Sequence, residues 1–293
     1  MADLYNGQCR QGGHLFKLDA TKLHDTPPEH CSICQAAGVD AFGEKDFGHA
    51  GNDHFIQART YPDYGVMVPY HHCHRCGFVF SALFDRWQDK DFLENVYNDD
   101  YHLSDPPFLE ERPSNNSRLV ASLFESVFKQ GEVLDYGGGN GLLSTLLRQR
   151  DIDAYSYDPH FGEVDVFPSG KTFDLVTAFE VIEHVPHLKQ RALMEHLSSF
   201  LHADRMSMAL LSTETIAAQA GIDWWYICPR NGHISIHSED SLQFLAACFD
   251  LSLLPAGNSL YALCRPEWED RLADSLARWR VKPAVSAASV AGD

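Results

Sequence analysis

The sequence predicts an α/β protein: a doubly wound sheet ending in antiparallel strands, preceded by a small module built on two cysteine knuckles. Three observations carry this expectation. The stretch EVLDYGGGNGLL at 132–143 reads as a buried strand, a tight glycine turn and the opening of a helix. From Glu132 to about Pro266, short apolar strands alternate with amphipathic helices, as a layered α/β body requires. Near the other end, Cys31-Ser-Ile-Cys34 and Cys73-His-Arg-Cys76 are separated by 38 residues. A chain of 293 residues has length for one sizeable core and a small extra module.

Residues 1–90 form the first unit. Each C-x-x-C turn presents two thiolates, and two such turns brought together close a tetrahedron with no open position, as structural zinc demands. Cys31, Cys34, Cys73 and Cys76 are therefore the expected ligands of a zinc-ribbon-like module. Gly77 follows the second knuckle, where the backbone often needs a conformation that only glycine takes easily. His71, His72 and His74 crowd this knuckle and are expected to be polar surface on a hairpin. Cys9, Cys228, Cys248 and Cys264 lack such pairing and read as small apolar residues, with Cys248 in the core of the helix LQFLAACF. Residues 91–130 read as a helical linker and cap, interrupted at Pro106, Pro107 and Pro113.

The main body spans 131–282. Its strands are EVLDY, AYSYD, DLVTAF and RMSMALLS; its helices are LLSTLLRQR, LKQRALMEHLSSFL and SLQFLAACF. LSLLPAGNSLYALCR reads as two strands around a Pro-Ala-Gly-Asn turn, and EWEDRLADSLARWRV as a final helix. Residues 283–293 carry no aromatic side chain and are expected to be a disordered tail.

The glycine spacing bears on the ligand. A dinucleotide fingerprint needs glycine or alanine three residues after Gly139, and that position is Leu142. What the chain offers is Asp135 followed by Gly137, Gly139 and Gly141, glycines that let a ligand lie against bare main chain. Further on, Asp158 ends the second strand where a carboxylate can accept from both ribose hydroxyls. No Gly-Lys-Ser/Thr phosphate loop follows the turn. Glu180, Glu183 and His184 lie just past DLVTAF, in the crevice beyond the carboxyl ends of the strands.

On these motifs the chain resembles the class I S-adenosylmethionine-dependent methyltransferases over roughly residues 92–265. Within them it resembles the small-molecule enzymes with a Glu-His pair after the fourth strand. The resemblance implies a Rossmann-like methyltransferase sheet and S-adenosylmethionine as donor. Gly137 and Gly139 would face its methionine and ribose, Asp158 its ribose, and Asp135, Phe179 and Glu180 would complete the wall. Tyr97, Tyr101 and Arg112 would close over it. Only about fourteen residues separate Asp158 from Phe173, so the family's third strand must be abbreviated, with Asp165 the candidate for the adenine amino group. Glu183 and His184 would face the acceptor, His184 as general base, with His233 joining them from the cluster WWYICPRNGHISIHS. Trp224, Trp225 and Tyr226 would either stack on a sugar ring or pack the first module on the core. The zinc module together with the Glu-His pair resembles deoxysugar C-methyltransferases, which usually carry a further C-terminal domain, and makes a sugar or sugar nucleotide the expected acceptor.

A formal net charge of −18 argues against nucleic acid as partner, since phosphate binding gathers Lys and Arg. The N-terminus has neither a basic start nor an apolar run, and no segment has the length to span a bilayer, so a cytoplasmic location is expected. The oligomeric state stays open. Two competing readings are a silent donor-binding scaffold whose zinc ribbon is an interaction module, and a nicotinamide oxidoreductase.

Overall fold

The protein is described here by a computed structural model covering residues 20–158 and 170–281. Cys9, Asp165 and the tail 283–293 lie outside the described residues. The chain runs β1 (Val39–Asp46), α1 (Asn52–Ile56), β2 (Met67–Cys73), β3 (Val79–Phe80), α2 (Asp89–Asn95), α3 (Tyr101–Ser104) and α4 (Glu111–Val127). It continues through β4 (Glu132–Tyr136), α5 (Leu142–Arg148), β5 (Asp153–Tyr157), β6 (Leu175–Phe179), α6 (Gln190–Ser199), β7 (Met208–Ser212) and β8 (Ser235–Ile236). Then follow α7 (Glu239–Ala247), β9 (Ser252–Gly257), β10 (Leu260–Cys264) and α8 (Glu269–Val281).

The larger sheet has the order β5-β4-β6-β7-β10-β9. Strands β5, β4, β6 and β7 are parallel, whereas β10 is antiparallel to β7 and β9. Strands β6 and β7 are nearly unbroken apolar runs because both faces of the sheet are covered. Leu123, Leu147, Leu272 and Leu276 of α4, α5 and α8 pack on one face. Met194, Leu197, Leu242 and Leu245 of α6 and α7 pack on the other. In β9 the expected turn residues Pro255 and Ala256 are part of the strand, and the reversal falls at Asn258–Ser259. Proline is tolerated there because β9 is an edge strand.

The smaller sheet has the order β1-β2-β3-β8, and all its pairs are antiparallel. Its fourth strand comes from residues 235–236, so the N-terminal unit is completed by the segment that follows β7. The knuckles meet beside it: Cys31 Sγ stands 3.7 Å from Cys76 Sγ, and Cys34 Sγ 3.6 Å from Cys73 Sγ. Gly77 has φ +70°, as the knuckle requires. His71 is buried and pairs with Asp25, which corrects its expected place on the surface, and the exposed His74 pairs with Asp40, which leaves the thiol cluster to the four cysteines.

Two further expectations are corrected. Pro113 does not interrupt a helix, because it is the third residue of α4, where the backbone N–H has no intrahelical partner to lose. Cys248 is exposed rather than in a core. The buried stripe of α7 is Leu242, Leu245 and Ala246, and Cys248 falls off it at the C-cap. Among the described residues no helix is long and apolar enough to cross a membrane.

Arg230 fastens the units together. It is 1% exposed, donates to Val96 O at 2.8 Å and Asn98 Oδ1 at 2.9 Å, and lies 4.9 Å from the Tyr61 ring centroid. Arg230→Ala leaves buried acceptors unmade and opens a void, and is expected to destabilise the protein by about 2–4 kcal/mol. Urea unfolding measures this, and an unchanged midpoint and slope would contradict it.

Candidate active site

A cavity of about 400 Å³ opens beyond the carboxyl ends of β4 and β6, roofed by the linker between α2 and α4. This is the crevice where ligands of open α/β sheets bind. Its floor is the glycine turn. Gly137 has φ +74°, and a Cβ added there would sit 2.5 Å from Val181 Cγ2. A Cβ on Gly138 would lie 2.3 Å from Ser156 Oγ and 2.5 Å from Asp135 Oδ2. Backbone hydrogen bonds fix the turn: Gly137 N donates to Tyr157 O at 2.7 Å, and Gly139 N to Asp158 Oδ2 at 2.9 Å. Asp158 thus shapes the floor as well as bordering the cavity.

Asp135 is buried beneath the turn and accepts from Thr177 Oγ1 at 3.0 Å. Burial, assisted by the charge of Asp158 and opposed by the Thr177 bond, pushes its carboxyl up to about 7. The roof is aromatic. Tyr97, Tyr101 and Phe108 line it, with ring centroids 5.3 Å apart for Tyr97–Tyr101 and 5.1 Å for Tyr101–Phe108. Arg112 also lines it, gripped bidentately by Asp105 with both bonds 2.7 Å long.

At the end of β6, Phe179 and Glu180 border the cavity. Glu180 has φ +52°, a costly conformation for a residue with a side chain, and its neighbours over-determine it. Its N–H meets Ser212 O at 3.1 Å, Oε1 accepts from Ser212 Oγ at 2.9 Å, and Oε2 from Tyr226 Oη at 2.9 Å. The short 3-10 turn Ile182–His184 then sends Glu183 inward and His184 toward the cavity.

Glu183 is fully buried; Oε1 lies 2.6 Å from Tyr226 Oη, and Oε2 has no hydrogen-bond partner. Its carboxyl is pushed well above the usual range by burial and by the neighbouring Glu180. His184 Nε2 stands 3.9 Å from Glu183 Oε1, too far for a hydrogen bond. The His184 and His233 rings are 4.8 Å apart at 81°. His233 Nδ1 lies 2.8 Å from the carbonyl of Tyr226, which can only accept, so Nδ1 carries the proton. Burial pulls His184 well below its ordinary pKa, with His233 adding to this, and pulls His233 down to about 3; both rings are neutral at pH 7.

Tyr101, Arg112, Asp135, Gly137, Gly139, Asp158, Phe179, Glu180 and His184, all singled out from sequence, meet around this one cavity. Glu183 and His233 stand behind His184 rather than on the wall. Trp225 stacks on His54 of α1 at 5.3 Å, and Trp224 packs in the same N-terminal cluster, so these rings join the two units. Gly138 and Tyr226 are the residues that sequence reasoning undervalued. The run of three glycines signals the first. No spacing signals that Tyr226 bridges two carboxylates 46 and 43 residues away.

A family profile described as a methyltransferase domain matches residues 108–255. A search of curated proteins finds no match. Among solved structures, magnesium protoporphyrin IX methyltransferase from Synechocystis PCC 6803 shares 18% identity, with 54% of this chain and 84% of that one covered and a TM-score of 0.40. The 1,6-didemethyltoxoflavin-N1-methyltransferase from Burkholderia thailandensis shares 14% identity, with 60% and 84% covered and a TM-score of 0.42. The profile takes in the roof helix, the glycine turn, Asp158 and the Glu180–His184 turn over half of the sequence, and the chain belongs to this methyltransferase-domain family.

Proposed function

We propose that this methyltransferase takes its methyl group from S-adenosylmethionine and passes it to a small molecule, with a sugar or sugar nucleotide as the acceptor class. The supporting observation is that the donor-binding residues chosen from sequence and His184 line one cavity, whose volume suits a ligand of this size. The bound sulfonium would supply the methyl for an in-line displacement. The protein's part is then to hold and orient. The bare turn at Gly137–Gly139 brings main chain against the donor, Asp158 accepts from its ribose hydroxyls, and Asp135, Phe179 and Glu180 form the wall. Tyr101 and Arg112 close the roof against water. At the acceptor end, His184 offers the lone pair of a neutral imidazole, backed by Glu183 and His233.

The thiol cluster reads as a structural zinc site. Sulfurs at about 2.3 Å from a tetrahedral zinc lie about 3.8 Å apart. The Cys31–Cys76 and Cys34–Cys73 separations of 3.7 and 3.6 Å match that spacing. One zinc per chain is therefore expected in protein purified without added metal. Cys73→Ser should lose the ion and destabilise the β1-β2-β3-β8 sheet, because the metal contributes folding free energy. Elemental analysis finding no zinc, with four titratable thiols in folded protein, refutes this.

Donor binding is tested by calorimetry with S-adenosylmethionine and S-adenosylhomocysteine. Asp158→Ala should weaken both by about 1.5–3 kcal/mol, the loss of hydrogen bonds to a charged group plus a loosened turn. No binding to the unaltered chain, or tighter binding of NAD, contradicts the reading. For turnover, labelled donor and a metabolite extract should give a labelled small molecule. His184→Ala should retain donor affinity while slowing that transfer by roughly a hundredfold to ten-thousandfold; unchanged turnover removes His184 from the chemistry.

A further inference from the structure

We infer that Glu183, His184 and His233 hold one divalent cation of the manganese-to-zinc series at the acceptor end of the cavity. The site stands on the geometry of the three side chains; only its bearing on methyl transfer rests on the proposed function.

Three observations converge. First, one ligand atom from each of the three residues lies within 4.8 Å of the others, and two imidazoles with one carboxylate form a donor set suited to such cations. Cation bonds of about 2.1 Å would require the set to close by roughly an ångström. Second, these side chains keep lone pairs unspent. Glu183 is fully buried, yet Oε2 has no hydrogen-bond partner. His233 donates from Nδ1 to Tyr226 O, which leaves Nε2 as its lone-pair nitrogen. A ring N–H anchored on a peptide carbonyl is the usual way of aiming a ligating histidine. Third, the charge is unbalanced. Glu180 and Glu183 both approach the hydroxyl of Tyr226, at 2.9 and 2.6 Å, while the Arg112 guanidinium on the cavity wall is gripped by Asp105. Two neighbouring buried carboxyls need a proton or a cation between them and their surroundings. The cation would sit behind His184, between that wall residue and the buried Glu183 and His233, and with its lone pair on the ion His184 would serve there as a ligand and not as a free base.

The test is a cobalt(II) titration of the full chain after chelator treatment, followed by absorption spectroscopy and bound-metal analysis. Cobalt on four thiolates gives intense charge-transfer absorption, whereas cobalt on two imidazoles and a carboxylate gives only weak visible bands. The expected result is a weak-band cobalt in addition to the thiolate-bound ion. Its affinity should drop at least about tenfold in His233→Ala and in Glu183→Gln, with the thiolate bands unchanged. His184→Gln serves as a third variant should either of these fail to fold. If every cobalt bound by the unaltered chain shows thiolate charge transfer, the carboxyls share a proton and the proposal is overturned. It is likewise overturned if folded variants keep the weak-band ion at unchanged affinity. S-adenosylhomocysteine affinity, measured on the same samples, reports separately on the donor site, so failure of the methyl-transfer reading would leave the cobalt result standing.

Discussion

The segment between β7 and α7 has to satisfy two sheets at once, and the acceptor end of the site depends on it. Leaving β7, it places Tyr226 against Glu180 and Glu183, inserts Arg230 beneath the linker, brings His233 beside His184, and then joins the N-terminal sheet as β8. Each step is pinned from the other side. Tyr70 of β2 donates to His233 O at 2.7 Å, Ile234 N donates to Glu183 O at 3.0 Å, and Ser81 N donates to Ile234 O at 2.9 Å. The N-terminal unit therefore acts as the back wall that holds His233 in place. A thiol-bound ion that fixes the knuckles would stiffen the same sheet and, through it, the site.

The donor end obeys a different constraint, the lack of room around the glycine turn. Gly138 packs against Ser156 and Asp135, so the floor tolerates no side chain there, and the bond from Gly139 to Asp158 ties the tip of the turn to the end of β5. Burying Asp135 beneath this turn is costly, as its raised pKa records, and Thr177 from the adjacent strand offsets part of that cost. Strain at Glu180 sits at the facing strand end. Both are common where a backbone is held ready for a ligand rather than relaxed for stability.

The fold is legible where periodicity and glycine chemistry act locally. EVLDY, DLVTAF and RMSMALLS declare themselves as buried parallel strands, and Asp158 and the Glu180–His184 turn follow from their positions at strand ends. The two C-x-x-C spacings suffice to group the four cysteines, because each knuckle needs the other to close a tetrahedron. What stays hidden is non-local. Nothing in SIHS announces that Ser235–Ile236 completes a sheet begun nearly two hundred residues earlier. Nor does the sequence separate the cavity-lining His184 from Glu183 and His233 behind it, because a 3-10 turn rather than a full helix sets those directions. Cys248 is misplaced when apolar content is read without counting the helical face.

The central claim is that the methyl donor lies on the glycine turn under the aromatic roof, and amide hydrogen exchange with and without S-adenosylhomocysteine tests it most directly. Added ligand should protect amides of the 137–143 turn, the end of β5 and residues 97–112, because residues of these segments line the cavity. The knuckles at 31–34 and 73–77 should exchange as before. Protection confined to the N-terminal sheet, or none at the glycine turn under saturating ligand, would contradict the account.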